Sequence, residues 1–213
     1  RLQAPPMRNW LFHPLLFYPL VAILAGLVIA ASLKPQAWPR EPAPVAGVIE
    51  GDALVLERAA FNSPAVGAEQ EMLVTRDYWG RPQTLRIAQK PGQPPPTPAE
   101  QGVRILLTPE RAALLEDKPV TVEVSYLPLP VNAAAGLAVS VQGIGPAEWV
   151  SQGTPPQPGT ARFVLPAQFE VNAIGLRALS VLPDQAYGLE ITRIRVIPWA
   201  PPAGAPSAAH PAN

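Results

Sequence analysis

From Leu15 to Leu33 the chain reads LLFYPLVAILAGLVIAASL without a single charged side chain. At about 1.5 Å per residue, a helix of that length comes to about 28 Å, close to the roughly 30 Å hydrocarbon core of a bilayer. The stretch predicts one transmembrane helix, residues 15–33, preceded by a short segment, residues 1–14. Trp10 lies before it with Phe12, Phe17 and Tyr18 close by, and Trp38 lies beyond its other end. Trp10 and Trp38 are therefore expected at the two membrane–water interfaces, where amphipathic rings are favoured. Lys34-Pro35 stops the helix. Two other readings compete: a buried core helix, and a cleaved signal peptide with Ala30-Ala31-Ser32 as the cut. The apolar run is longer than a usual signal core, which favours spanning.

Arg1 and Arg8 precede the helix while Lys34 and Arg40 follow it, so positive charge is nearly balanced across it. A short tail with two arginines and no acid stays on the cytoplasmic side easily, whereas Glu41, Glu50 and Asp52 dilute the positive charge on the far side. The expectation is an N-terminus inside and the remainder outside, in the periplasm of a bacterium. Ala22, Gly26 and Ala30 recur every fourth residue and share one helix face, a small-xxx-small stripe on which another helix can pack closely. The plain alternative is a lipid-facing anchor with chance spacing.

Composition limits what the rest can be. Lys+Arg and Asp+Glu are equal at 16 each, so no overall field draws in nucleic acid, and none is expected as a partner. Cysteine is absent, which removes disulfides, thiolate metal sites and a cysteine nucleophile. The two histidines, His13 and His210, both lie outside the region that forms the soluble domain, so imidazole catalysis and the usual metal ligation have no residue to use. No cofactor, metal or enzymatic activity is expected. Thirty prolines argue against long soluble helices and for strands joined by proline-rich loops.

The run PQAWPREPAP predicts an extended spacer, residues 34–44, holding a domain off the bilayer. Residues 45–199 then read as a β domain. VIEGDALVLE gives two strands around Gly51-Asp52, and residues 71–88 give two more around Gly80-Arg81-Pro82. PGQPPPTPAEQG is a loop, and residues 103–107 form a strand. Thr108-Pro109-Glu110 starts a short helix ending near Asp117. VTVEVSY alternates strictly, with Val120, Val122, Val124 and Tyr126 on one face. Residues 137–141, 162–165, 174–182 and 189–197 supply further strands, and in the last one the apolar phase shifts between Ile191 and Ile194, as at a bulge. About nine short antiparallel strands with one short helix predict an all-β sandwich of two sheets. Residues 200–213 form a Pro/Ala-rich tail.

The succession RILLTPERAALLEDKPVTVEVSY, ARFVLP and YGLEITRIRVIP resembles jelly-roll domains of the carbohydrate-binding-module and galactose-binding-like type. The resemblance lies in strand lengths and order rather than in a motif, and it speaks to fold more than to activity. It implies sugar binding on aromatic platforms, for which Tyr78, Trp79, Tyr126, Trp149 and Tyr187 are the rings available, often beside a calcium ion, for which no Asp-rich loop is visible.

Tyr78-Trp79-Gly80-Arg81 is the most ligand-like cluster, two adjacent rings at a turn with an arginine beside them. Its structural alternative has one ring plugging the sandwich edge while the other faces solvent. Trp149 is a second candidate contact, or else a loop anchor. Arg177, Arg193 and Arg195 lie in strands, as a basic strip or, more simply, a solvated outer face. The function expected is a non-catalytic accessory subunit in the bacterial inner membrane. Its helix packs against transmembrane helices of a larger complex, such as an electron-transport or photosynthetic one, and its sandwich covers the periplasmic face. The alternative is a membrane-tethered glycan-binding module.

Overall fold

The computed structural model describes residues 14–33, 38–92, 97, 99–180 and 187–198. Trp10, both histidines and the 200–213 tail lie outside them. The chain divides into two units, Arg1–Trp38 and Pro39–Asn213.

The first unit holds helix α1, Pro14–Ser32, and none of its residues is buried. A fully apolar helix exposed all round needs an apolar surrounding, and α1 is long and apolar enough to cross a membrane. Pro19 lies in its second turn, so the carbonyl of Leu15 loses its usual helical donor. The C-terminal end is capped instead: Ser32 Oγ donates to Val28 O (2.7 Å), and the Trp38 indole donates to Leu33 O (3.1 Å).

The second unit is built from β1 (Val48–Glu50), β2 (Ala53–Glu57), β3 (Ala65–Val66), β4 (Gln70–Arg76), β5 (Pro82–Gln89), β6 (Val103–Leu106), β7 (Val120–Pro128), β8 (Gly136–Gln142), β9 (Val150–Gly153), β10 (Gly159–Leu165), β11 (Ala173–Leu179) and β12 (Tyr187–Pro198). The single turn of helix α2 (Pro109–Ala112) precedes β7. The fold is all-β, as the alternation predicts, with two antiparallel sheets. One is five-stranded, in the order β3-β6-β11-β8-β9. The other has β12 at its centre. Along one edge β12 pairs with β7, which continues to β10; along the other its first half pairs with β5 and its second half with β2.

The partner change falls at the bulge. Ile191 and Arg193 face consecutive residues of β7, leaving Thr192 extra, so Leu189, Ile191, Ile194 and Val196 all keep facing inward. A short 3-10 turn, Arg58–Phe61, packs against β5 and β2 where they diverge, and Phe61 is fully buried. One continuous core joins Leu54, Leu85, Val122, Phe163 and Ile191 of the larger sheet to Ile105, Leu137, Val139, Ile174 and Leu176 of the smaller.

Several expectations change. Helix α2 stops at Ala112 rather than near Asp117: the chain goes on in tighter turns, with Leu115 N–H donating to Ala112 O, until Asp117 turns it away with a left-handed backbone (φ 56°) and an N–H that donates to Gln168 O. Of the segment expected as a spacer, residues 34–44, Arg40 and Ala43 are bonded to the sandwich, while residues 34–37 lie outside the described residues. Strands β3 and β9 are additional to those read from the sequence. Tyr126 is a core residue, 4% exposed, and so no platform.

Candidate interaction site at the β4–β5 turn

Strands β4 and β5 pair from Gln70↔Gln89 to Arg76↔Pro82 and are joined by Asp77–Arg81. The turn is built around one carboxylate. Asp77 Oδ1 accepts from the N–H of Trp79 (2.9 Å) and of Arg81 (2.8 Å), while Gln83 Nε2 donates to Oδ2 (3.4 Å). The backbone closes on itself through Asp77 N–H to Arg81 O and Gly80 N–H to Asp77 O. Gly80 supplies the left-handed conformation (φ 78°) such a turn needs.

This scaffold pushes both rings outward. Tyr78 is 83% exposed and Trp79 76%, so neither plugs the sandwich. The rings meet edge to face, 5.2 Å between centroids and 84° between planes, and hold each other in place. Arg81 is exposed beside them. Behind the turn, Arg76 donates to Gly80 O and to both Asn62 oxygens, and Arg40 donates to the same Asn62 Oδ1 (2.8 Å). Partial burial holds the Arg76 guanidinium below its usual pKa, and the charge of Arg40 adds to the effect. Among the described residues, no carboxylate forms an ion pair with Arg40, Arg76 or Arg81.

The other sequence candidates are engaged elsewhere. Trp149 lies just before β9 with its ring under the Arg177 guanidinium, 4.2 Å from the centroid. Arg177 is buried, 3% exposed, and so is not part of a solvated face. It is paired with Glu100 at 3.3 Å and Glu69 at 4.0 Å and donates to Thr97 O. Burial lowers its pKa despite the opposing pull of Glu100 and Glu69. The strip formed by Arg193 and Arg195 is neutralised: Arg193 pairs with Glu50 and Glu57, and Arg195 with Glu123. Tyr187 is half-buried at the start of β12.

A shallow depression of about 260 Å³ lies on the smaller sheet between β8, β9 and the end of β11, lined by Gly136, Ser151, Gly153, Leu179 and their neighbours. Its lining includes neither an aromatic ring nor an ionisable side chain. Among the described residues, no three His, Asp or Glu side chains are grouped to hold a metal ion.

No protein-family model matches the chain, and no curated protein matches it. Solved structures do. The apo form of BiXyn10A CBM1 is similar at 10% identity and a TM-score of 0.43, over 67% of this chain and 95% of that one. The CBM22-1-CBM22-2 tandem domain of Paenibacillus barcinonensis Xyn10C gives 16% identity and a TM-score of 0.41, over 78% of this chain and 50% of that one. The GH26-CBM35 β-(1,4)-mannanase of Podospora anserina gives 15% and 0.36, over 76% of this chain and 31% of that one. By name, these neighbours are carbohydrate-binding modules or an enzyme that carries one.

Proposed function

We propose that this chain is a single-pass, non-catalytic accessory protein of a bacterial inner membrane, with α1 spanning the bilayer and the sandwich on the periplasmic side. The observation that carries the reading is α1 itself: nineteen residues without a charge and without a buried side chain, on a chain whose other unit has a closed core of its own. Ala22, Gly26 and Ala30 give that helix a face for a second helix. A non-catalytic role is supported by composition, since cysteine is absent and both histidines fall outside the sandwich.

The test is purification in mild detergent followed by native electrophoresis. The wild-type chain is expected to migrate with a larger membrane complex and Gly26→Leu to dissociate from it. A chain that migrates alone, and whose deletion leaves every membrane complex intact, overturns the accessory role. Glycan binding is the competing reading, favoured by the two exposed rings of Tyr78 and Trp79. A glycan array probed with the full chain and with Trp79→Ala separates the two, because binding lost on that substitution would establish the glycan reading.

A further inference from the structure

We propose that the β4–β5 turn is a second membrane contact. In this arrangement Tyr78 and Trp79 sit in the headgroup layer of the bilayer that α1 crosses, with Arg40 and Arg81 facing its phosphate groups. The proposal rests on the spanning reading of α1 and adds a place and a chemistry for the sandwich.

Three observations lead to it. The first is what the turn leaves unused. Asp77 Oδ1 accepts from both of the turn's N–H groups and Oδ2 faces Gln83 Nε2 at 3.4 Å, so the carboxylate serves chiefly to hold the turn. The rings stand at 84°, so they share no flat face on which consecutive sugar units would stack. A mixed apolar and polar layer makes no demand for coplanarity, and it is where Trp and Tyr are most favoured.

The second is charge. Arg40 and Arg76 converge on a single amide oxygen, Asn62 Oδ1, with Arg81 exposed a few residues on and, among the described residues, no carboxylate paired to any of the three. Neighbouring guanidinium groups without counter-charge suit anionic lipid phosphates, which accept paired N–H bonds.

The third is reach. Helix α1 ends at Ser32, and a fully extended chain from there to Arg40 covers at most about 29 Å. Trp38, whose indole caps Leu33, is only two residues, or about 7 Å of extended chain, before Arg40. The Arg40–Asn62–Arg76 bonds tie that point of the chain to the turn. That length of chain allows the turn to reach the bilayer face, where even weak insertion is effectively intramolecular.

The absence of cysteine allows a direct test in the full chain. Tyr78→Cys, Leu24→Cys and Val164→Cys are each spin-labelled and reconstituted into vesicles of phosphatidylglycerol and phosphatidylcholine. Collision with oxygen, which enters lipid, is compared with collision with a nickel chelate, which stays in water. Leu24 is the helix reference, and Val164, an exposed residue of β10, is the aqueous one. The expected result is nickel accessibility at position 78 severalfold below that at 164, returning toward it when Trp79→Ser is added or phosphatidylglycerol is omitted. A label at 78 as accessible as at 164, with 24 still in hydrocarbon, overturns this proposal, leaves the turn to a protein or glycan partner, and preserves the anchor. A water-accessible label at 24 overturns the anchor, and this proposal with it. Because the label replaces Tyr78, quenching by brominated lipid in the unlabelled chain gives a second readout: the quenched fraction must fall in Trp79→Phe, and equal quenching in both chains counts against insertion.

Discussion

Arg177 occupies an outward position of β11, yet Trp149, Thr97, Glu100 and Glu69 enclose its guanidinium. Removing one partner of a buried ion pair costs more than the pair contributes, because the remaining charge keeps its desolvation penalty. Arg177→Met is therefore expected to lose about 3 kcal/mol in a urea titration of the full chain in detergent, and adding Glu100→Gln should recover part of that loss. Gly143 is constrained differently: a Cβ there would lie 1.5 Å from the carbonyl oxygen of Glu170, a backbone atom that cannot rotate away. Gly143→Ala should lower stability by about 1–3 kcal/mol, read as a fall in Tm. Neither role was legible in the sequence. Alternation along β11 places Arg177 on the outer face, and only residues far away in the chain, Glu69, Thr97, Glu100 and Trp149, bury it. For the same reason Ser140 and Gln142, outward on β8, are buried polar residues rather than solvated ones.

Among the elements, the β4–β5 hairpin owes its rigid tip to Asp77. Asp77→Ala removes the acceptor of two backbone N–H groups, and hydrogen bonds to a charged acceptor contribute roughly 1.5–3 kcal/mol together with the order they impose. Amide exchange at Trp79 and Arg81 should quicken by about tenfold or more, while exchange in β7 and β12 is unchanged; uniform acceleration would mean the turn supports the whole fold. Elements with a strong period were readable: β7 from its alternation, the β12 bulge from its phase shift, and the β4–β5 pair from its turn residues. Two elements carried too little pattern. β3 has two residues and β9 four, and both exist because a neighbouring strand offers an edge. That both rings at the tip face outward was equally illegible, since adjacent residues at a turn follow no fixed alternation.

For the molecule as a whole, the division into helix and sandwich was legible because it rests on hydrophobicity summed over nineteen residues rather than on any one contact. A charge near the centre of a spanning helix costs about 2.5–3.5 kcal/mol on insertion scales. Leu24→Lys should accordingly shift the chain from the membrane pellet to the alkaline-extractable fraction, with the sandwich still folded by circular dichroism. Retention of the variant in the pellet at the wild-type level would argue that something other than α1 holds the protein there.

The position of β12 in chain order sets the timing of folding. Every strand it joins in the larger sheet is synthesised earlier, and without it that sheet falls into three separate ribbons, β1–β2, β4–β5 and β7–β10. Two-stranded ribbons are marginal in water on their own. The sandwich therefore closes late, in one step that joins distant parts of the chain and carries a correspondingly large loop-closure cost. Until that step, the edges of β2, β5 and β7 are unpaired templates for another chain. An N-terminal anchor would hold these unfinished ribbons on a membrane surface, apart from other copies, until the strand that completes them is released.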